Sequence, residues 1–335
     1  MRYQFDFRSY RRKFKRPMHT SHGIWEVRDG IIVRLKNEKG DVGWGEIAPL
    51  SAFGSETIGE ALEFCQKLPE WISDRTIFSL PPNLPACQFG LETAWEACST
   101  HKLLPDDAGR SPAIDIPFAT LTYSGLLPAG EAALLGHKIL WKQGYRTFKW
   151  KIGVAPIERE LRIFRELVRS ICEDWQEDIG FLRLDANGGL NLAEAEKWLE
   201  ACDKAGEIIE FLEQPLPVGE FETMLELSTR FSTAIALDES VATLAQMEAA
   251  YRQGWRGLFS IKPCISGSPS QLRQFCQLNK IDAVFSSVFE TQIGRNAALK
   301  LATEISTPRD RAVGFGVNHW FADDEIAIEE LWQNP

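Results

Sequence analysis

The sequence predicts an α/β protein in which a modified TIM barrel of the (β/α)7β type follows a smaller α+β domain. Its 335 residues exceed one ordinary domain of about 100–200 residues, but they suit a barrel with a small companion domain. In the first hundred residues, strand patterns precede helical patterns. From about Ala113 onward, short apolar runs alternate with amphipathic helical stretches.

The N-terminal domain is predicted from two strands and two helices. Ile31–Leu35 and Gly43–Ile47 are rich in apolar and β-branched residues, and Asn37–Gly40 between them is a turn signal. Helical patterns follow over Ser55–Cys65 and Phe89–Cys98. Antiparallel strands followed by helices indicate a small α+β unit.

Eight apolar runs in the rest of the chain predict parallel strands, because helical stretches separate them. The runs are Ile114–Leu121, Thr147–Ile152, Phe181–Leu184, Ile208–Glu213, Ala234–Leu237, Leu258–Ile261, Ala283–Ser287 and Ala312–Phe315. The helical stretches include Ile157–Cys172, Leu192–Ala205, Ala242–Arg252, Gln271–Leu278 and Ala297–Ile305. Little chain follows the last run, so seven helices and eight strands are expected. We predict three segments: 1–105, the barrel 106–320, and a tail 321–335 that packs on the first domain.

Charge and composition exclude several classes of protein. The net charge of −10 argues against a nucleic-acid binder, and no run approaches the length of a membrane span. The basic run Arg8–Arg16 has no apolar segment behind it, so it is not a signal peptide. We interpret it as a solvated strand or loop, with a patch for an acidic ligand as the alternative. Seven scattered cysteines without a CxxC pair predict the cytoplasm, with Cys264 as a packing residue.

Charged residues end five successive predicted strands. Lys149-Trp150-Lys151 ends the second, Asp185 the third, Glu213 the fourth, Asp238 the fifth and Lys262 the sixth. From Lys151 onward the intervals are 34, 28, 25 and 24 residues, each about one strand–helix unit. Side chains two residues apart in a strand share a face, so both lysines of the KxK pattern are expected to point into the barrel.

This order of charges predicts a metal site flanked by lysines. The carboxylates of Asp185, Glu213 and Asp238 would repel one another unless a cation neutralised them, and oxygen ligands favour Mg²⁺, with Mn²⁺ as a second option. A lysine near other cations has a lowered pKa and can act as a general base. Such a site suits removal of a proton next to a carboxylate, so a small carboxylate substrate is expected. A single charged strand end is often only a surface ion pair, but five in this order favour the functional interpretation.

The same residues resemble the enolase superfamily, in particular its muconate-lactonizing-enzyme subgroup. The resemblance implies an enolase-like fold, in which an N-terminal capping domain covers a (β/α)7β barrel. It implies that Asp185, Glu213 and Asp238 bind the metal, that Lys151 is the acid and base, and that Lys262 is the lysine of the sixth strand. Two further stretches, Gly43–Leu50 and Leu182–Asn187, together with Ser266-Gly267-Ser268 and Ser286-Ser287, resemble one dehydratase family within the subgroup.

The reaction implied by this resemblance is syn dehydration of 2-succinyl-6-hydroxy-2,4-cyclohexadiene-1-carboxylate, a step toward menaquinone or phylloquinone. In that reaction Lys151 takes the α-proton and returns it to the departing hydroxyl group. Lys262 stabilises the enolate from the opposite face, and Lys149 supports the substrate carboxylate electrostatically. An N-acylamino-acid racemase on the same scaffold and a noncatalytic binding protein are the alternatives. The eighth strand carries no DxD pair, which distinguishes the chain from dipeptide epimerases of the subgroup.

Contacts to the substrate are predicted for four residues past strand ends: Asn187, Ser266, Gly267 and Ser287. The segments His19–Gly23 and Leu50–Phe53 are expected to close over the substrate as loops of the capping domain, or to serve in packing between the domains. Phe289 and Trp320 either line the pocket or belong to the core. The sequence makes no prediction of the oligomeric state.

Overall fold

The computed structural model describes residues 1–20, 23–100, 121–174, 180–305, 309–316, 321 and 332–333. Within these residues the chain forms an antiparallel sheet of four strands and a parallel sheet of seven. The predicted combination of an N-terminal α+β unit with a parallel barrel of alternating strands and helices is confirmed. No helix among these residues is both long and apolar enough to cross a membrane.

The antiparallel sheet belongs to the N-terminal cap and has the strand order β3-β2-β1-β4. Its strands are β1 (Arg2–Thr20), β2 (Gly23–Asn37), β3 (Val42–Ile47) and β4 (Trp71–Ser73), and its helices are α1 (Ile58–Lys67), α2 (Asp74–Phe78) and α3 (Pro85–Thr100). Thr57 begins α1 with a capping box, in which its side chain accepts from Glu60 N and the Glu60 carboxylate accepts from Thr57 N.

The basic run Arg8–Arg16 lies in β1, a strand that the sequence pattern did not define. Along it, exposed Arg11 and Lys13 alternate with buried Arg12 and Phe14, and β2 pairs with it over most of its length. Charged residues dominate the composition of the run and conceal this period of two. The structure therefore assigns the run to a paired strand with one solvated face.

The parallel sheet forms the barrel, with neighbours in sequence order. Its strands are β5 (Ser124–Leu126), β6 (Thr147–Lys151), β7 (Phe181–Asp185), β8 (Ile209–Glu213), β9 (Ile235–Leu237), β10 (Leu258–Ile261) and β11 (Ala283–Phe285). The helices are α4 (Ala132–Lys142), α5 (Ile157–Asp174), α6 (Leu192–Ala205), α7 (Phe221–Arg230), α8 (Leu244–Arg252), α9 (Pro263–Ser266), α10 (Pro269–Asn279) and α11 (Gln292–Glu304). Parallel bridges from Val313 to Tyr123 and from Gly314 to Ser286 close the barrel at the position of the eighth strand.

The first barrel strand is a correction to the sequence analysis. The predicted run Ile114–Leu121 lies outside the described residues except for Leu121, which is not in a strand. The strand that pairs with β6 is Ser124–Leu126. Its sequence Ser-Gly-Leu has little apolar content, so the apolar run just before it gave the stronger signal. The helices α4 and α7 were also not singled out.

The barrel interior separates two groups of charges. Toward the amino ends of the strands, the Arg183 guanidinium donates to Glu210 at 2.6 Å, and Arg311 bridges Glu210 at 2.6 Å and Asp282 at 2.7–2.8 Å. Arg183 is 2% exposed, so these charges are paired, as burial requires. The charged strand ends predicted as the functional site lie at the opposite, carboxyl end of the barrel.

Two residues of the C-terminal tail contact the cap. Phe321 forms an antiparallel bridge with Phe14, and the two rings stack with centroids 4.5 Å apart. Trp332 packs edge-on against Trp44 at 5.0 Å. The predicted boundary between residues 105 and 106 lies outside the described residues.

Candidate active site

The charged strand ends of the barrel meet at one rim. The register of the sheet places Lys151 opposite Asp185 and Asp185 opposite Glu213. Asp238 directly follows β9, and Lys262 directly follows β10. Because parallel barrel strands end at the same rim, residues 24 to 34 positions apart in sequence become neighbours.

Two ammonium groups pair with three carboxylates at this rim. The Nζ atom of Lys149 lies 2.8 Å from Oδ2 of Asp185 and 2.8 Å from Oε2 of Glu213. The Nζ atom of Lys262 contacts Oδ1 of Asp238. Lys149 is half-buried and the other four side chains are buried, so water screens these charges weakly.

Burial and charge shift the pKa values of the two lysines in opposite directions. For Lys149, burial acts to lower the pKa, but the charges of Asp185 and Glu213 outweigh it and raise the pKa above its usual range. For Lys262, burial lowers the pKa to about 7, and the charge of Lys149 acts in the same direction. The same rim therefore holds Lys149, which is firmly protonated, and Lys262, whose ammonium group gives up its proton more readily because it is buried.

Lys151 is the third predicted lysine, and it stands two residues after Lys149 on the same face of β6. Trp150 between them is fully buried and packs outward against Trp198 of α6, with ring centroids 6.2 Å apart. Lys151 is half-buried, and within the described part of the chain its ammonium group has no ion pair. Unlike Lys149 and Lys262, it thus pairs with no carboxylate of the described residues.

Gln214 holds the loop that carries Asp238, a role that the sequence analysis missed. Its Oε1 atom accepts hydrogen bonds from Asp238 N at 3.1 Å and Ser240 N at 3.2 Å, and its amide donates to Leu216 O and to Ser240 Oγ. The side chain is fully buried, and its φ of 37° is left-handed. The available signal was a second polar residue directly after the strand-ending Glu213.

Glu239 adds a fourth carboxylate, which the sequence analysis also passed over. Its Oε1 atom accepts from the side-chain amide of Asn187 at 3.1 Å, while its buried Oε2 atom has no hydrogen-bond partner among the described residues. Burial raises the pKa of Glu239 to about 7, and the neighbouring charge of Asp185 adds to this. A further acidic group directly after Asp238 was the available signal.

The cap reaches the rim through the predicted segment Leu50–Phe53. Ser51–Phe53 form a short 3-10 turn. The Phe53 ring centroid lies 4.7 Å from the Nζ atom of Lys262. This segment therefore covers a charged strand end, in addition to any role in packing between the domains. Of the other predicted cap segment, His19–Gly23, residues 21 and 22 are not described.

Three of the four residues predicted to contact the substrate have hydrogen-bond partners within the protein. Asn187 N donates to Asp185 Oδ1 at 3.0 Å, the Ser266 hydroxyl donates to Lys262 O at 2.8 Å, and the Ser287 hydroxyl donates to Glu290 at 2.9–3.0 Å. Gly267 has a φ of 116°, and a Cβ atom there would lie 3.0 Å from Gln88 of the cap. Their contacts to a substrate stay predictions.

Phe289 and Trp320 were predicted either to line the pocket or to belong to the core, and the structure describes only Phe289. Phe289 packs edge-on against Phe14 and Trp25 of the cap, with ring centroids 5.7 and 6.3 Å apart. It thus belongs to a small aromatic cluster between the domains. Trp320 lies outside the described residues.

The donor set of the rim suits a hard divalent cation. Only oxygen ligands are offered by its four carboxyl groups, those of Asp185, Glu213, Asp238 and Glu239. Among the described residues, the buried Oε2 atom of Glu239 has no hydrogen-bond donor, so it is available to bind a cation. Among the described residues, no three such side chains already converge on a common point. The contacts of Lys149 and Lys262 account for this, since ammonium groups here supply the positive charge that a bound cation would bring.

The cap, the barrel and the order of the charged strand ends define a protein of the enolase superfamily. Residues 135–331 match the family described as enolase C-terminal domain-like. Residues 10–98 match the family described as MenC, N-terminal domain.

Individual relatives narrow the family further. The chain is 37% identical to o-succinylbenzoate synthase of Thermosynechococcus vestitus, covering 99% of both chains, and 30% identical to that of Edwardsiella ictaluri, covering 82% of this chain and 78% of the relative. A crystal structure of o-succinylbenzoate synthase from Thermosynechococcus elongatus BP-1, complexed with Mg in its active site, superposes with a TM-score of 0.85 at 35% identity, covering 99% of this chain and 100% of that one. The chain belongs to the o-succinylbenzoate synthase family.

The L-Ala-D/L-Glu epimerase of Bacillus subtilis has the same fold but is more distant. It superposes with a TM-score of 0.74 at 20% identity, covering 96% of this chain and 91% of that one. This likeness extends to the fold alone.

Proposed function

We propose that this protein is a lyase that converts 2-succinyl-6-hydroxy-2,4-cyclohexadiene-1-carboxylate to o-succinylbenzoate by syn dehydration, a step in menaquinone or phylloquinone biosynthesis. The observation that carries this proposal is the meeting of Lys149, Asp185, Glu213, Asp238 and Lys262 at one rim, in a chain 37% identical over its length to an o-succinylbenzoate synthase. The reaction belongs to the carbon–oxygen lyases.

Asp185, Glu213 and Asp238 are proposed to hold Mg²⁺, with Mn²⁺ as the other cation that an all-oxygen set accommodates. When bound, the cation neutralises negative charge that develops on the substrate carboxylate. Gln214 fixes the backbone of Asp238 through its side-chain oxygen. Glu239 adds a carboxyl group to this set, and Asn187 donates a hydrogen bond to it. These residues keep the anionic set in place before substrate arrives.

Lys151 is proposed to perform the proton transfers. Its amine removes the proton from the carbon that bears the carboxylate, and the electron pair of that C–H bond moves toward the carboxylate. The C–O bond to the hydroxyl group then breaks, and the Lys151 ammonium returns the proton, so that water leaves and the ring becomes aromatic. A syn elimination puts proton and hydroxyl on one face, so one base is sufficient.

Lys262 and Lys149 are proposed as fixed cations. Lys262 follows β10, on the side of the rim opposite β6, and the Phe53 ring shields it from solvent. Its ammonium group contacts the Asp238 carboxylate, which favours the charged form, and stabilises the enolate electrostatically. Lys149 is held protonated by Asp185 and Glu213 and supports the substrate carboxylate. Both cations act through charge and transfer no proton in the dehydration.

The proposal also covers the domain boundaries of the chain and its location in the cell. We assign residues 1–105 to the cap, 106–320 to the barrel and 321–335 to a tail packed on the cap, an assignment supported by the contact of Trp332 with Trp44. The seven cysteines are free thiols, which supports an enzyme of the reducing cytoplasm. The partner is a small carboxylate, and neither nucleic acid nor a membrane is proposed.

The test is incubation of the purified protein with the cyclohexadiene substrate, following the absorbance of the aromatic product with Mg²⁺ and with EDTA. The expected result is product formation that EDTA abolishes and added Mg²⁺ restores. Product identity is checked by mass, since dehydration removes one water. Absence of turnover with Mg²⁺ present would refute the proposal, and N-acylamino-acid racemisation by the same preparation would indicate the alternative function.

A further inference from the structure

A buried arginine of the cap joins two loops beside the proposed active site. Arg28 is 4% exposed, and its Nε atom donates to Val288 O of the barrel at 2.9 Å. Its terminal nitrogens donate to Ala48 O at 2.6 Å and Pro49 O at 2.9 Å in the cap. One rigid guanidinium group thus binds carbonyl oxygens of both domains, and Arg28 and Val288 are 260 positions apart in the chain.

The barrel loop held by Arg28 is Ser286–Thr291, which follows β11. It is internally fixed, because Ser287 Oγ and Val288 N donate to the Glu290 carboxylate and Phe289 N donates to Ser287 Oγ. Phe289 has a left-handed φ of 62°, which a residue with a side chain rarely adopts. These bonds give the loop one defined shape.

A second cap residue, Glu46, holds the far end of the same loop. Its carboxylate is fully buried and accepts from Thr291 N at 2.9 Å and Gly294 N at 2.9 Å, at the start of α11. Tyr10 of the cap donates to it at 2.5 Å. A carboxylate at a helix N-terminus satisfies N–H groups that have no partner within the helix.

The cap segment held by Arg28 is followed within a few residues by Phe53, whose ring lies over Lys262. Ala48 and Pro49 precede Leu50, whose N–H donates to Ser55 Oγ at 2.7 Å, so the turn that carries Phe53 is closed at both ends. Phe53 then lies 4.7 Å from the Lys262 ammonium group. Movement at Ala48–Pro49 would be transmitted to Phe53 over a few residues.

We propose that Arg28, with Glu46 as its second anchor, is a positioning residue that joins the cap segment Ala48–Phe53 and the barrel loop Ser286–Thr291 into one wall of the substrate pocket. Arg28 touches no reacting atom. The residue proposed to transfer the proton and those proposed to bind the metal follow or end other barrel strands, β6 to β9. Its loss therefore weakens substrate binding more than the chemical step. This inference rests on the proposed function for its kinetic part only.

The test uses Arg28→Lys and Glu46→Gln, with Asp203→Ala as a matched control. A lysine keeps the charge of Arg28, but a single ammonium group cannot span carbonyls on two loops. Asp203 also accepts three hydrogen bonds that fix a loop, from Ser232 N, Thr233 N and Thr233 Oγ1, but it lies at the amino rim of the barrel. The control thus loses a comparable set of bonds far from the pocket.

The kinetic expectation is that Arg28→Lys and Glu46→Gln raise KM about tenfold and change kcat by less than about threefold. Asp203→Ala is expected to lower the unfolding temperature without changing KM. An unchanged KM in a folded Arg28→Lys enzyme overturns the positioning role.

Hydrogen exchange followed by mass spectrometry gives a readout that needs no turnover. Arg28→Lys is expected to speed exchange in peptides covering 48–55 and 286–294 together, but not in a peptide covering 230–234, where Asp203→Ala acts. Faster exchange in only one of the two loops, or in neither, overturns the coupling. A wild-type enzyme that makes no o-succinylbenzoate refutes the proposed function instead, and the exchange result still decides the coupling.

Discussion

The ring of Phe53, in the cap, lies 4.7 Å from the ammonium group of Lys262, at the end of β10 in the barrel. A cation facing an aromatic ring is attracted to it by about 0.5–2 kcal/mol, more when water is excluded. The cap thus supplies a group directly to the proposed catalytic centre. It does not merely cover the barrel.

Replacing Phe53 by leucine keeps an apolar side chain but removes the ring from Lys262. We expect kcat/KM for dehydration to fall about tenfold, because the fixed cation loses its partner and becomes better hydrated. Phe78→Leu is the control, since Phe78 is a partly exposed cap residue that packs on Trp95 at 4.9 Å. Equal kinetics for the two variants would show that the ring over Lys262 has no functional effect.

Gln214 is expected to control metal affinity without binding the metal. Gln214→Ala frees the N–H groups of Asp238 and Ser240 from their acceptor, so the Asp238 carboxylate loses its fixed orientation. Loss of such a supporting partner typically costs about 10–100-fold in metal affinity. The measurement is a titration of unfolding temperature with Mg²⁺, which stabilises the folded state by binding it.

In that titration, wild-type protein should be stabilised at the lowest Mg²⁺ concentration, Gln214→Ala at a higher one, and Asp185→Asn at none tested. Asp203→Asn should follow the wild type, because that carboxylate is at the opposite rim. Stabilisation of Asp185→Asn at wild-type concentrations would remove Asp185 from the proposed metal site.

Asp203 gives a prediction about pH and stability. Burial acts to raise its pKa, but hydrogen bonds from Thr233 and Ser232 outweigh this and lower the pKa below the usual value of 3.8. The stabilisation from its ionised form is therefore complete above that value and is lost as pH falls toward the lowered pKa. Because the group is partly exposed, its contribution is about 1 kcal/mol at most.

Urea unfolding of Asp203→Asn and wild type at several pH values tests this. The variant should be less stable at pH 7, and the difference should shrink as pH falls below about 4. A difference that stays constant across this range would mean that the charge of Asp203 contributes nothing.

The meeting of the charged strand ends at one rim was predictable from sequence because strand–helix units return the chain to the same edge. The charges at Asp185, Glu213, Asp238 and Lys262 each directly end an apolar run, which is a local pattern. The contact of Arg28 with Val288 was not predictable, since it depends on how two domains meet. Gln214 and Glu239 directly follow predicted site residues. Their roles were missed because the sequence does not show which hydrogen-bond partners a polar residue after a strand end will have.

Strands with weak apolar patterns were either misplaced by the sequence analysis, as β5 was, or left undecided between strand and loop, as β1 was. β5 has only Ser-Gly-Leu, and its place in the sheet depends on pairing with β6 rather than on its own composition. β1 is long but rich in arginine and lysine, and its pairing with β2 holds it in register. In both cases tertiary context decides what local propensity leaves open.

Variants of Lys151 and Lys262, which stand on opposite sides of the rim, are expected to distinguish dehydration from racemisation. Lys262→Arg keeps a positive charge but does not readily release a proton. It should retain measurable dehydration while abolishing any racemase activity, because racemisation needs a base on each face. Loss of dehydration in Lys262→Arg equal to that in Lys151→Arg would assign proton transfer to both lysines.

The most direct measurement is product formation by Lys151→Ala with saturating Mg²⁺, with deuterium exchange at the α-carbon followed in the same sample. Lys151 serves as both base and acid in the proposed reaction, so its loss should reduce turnover by more than about 10⁴-fold and stop the exchange. The variant should still be stabilised by Mg²⁺, which shows that the site is intact. Substantial o-succinylbenzoate formation by Lys151→Ala, or persistent exchange at the α-carbon, would contradict the assignment of the proton chemistry to Lys151.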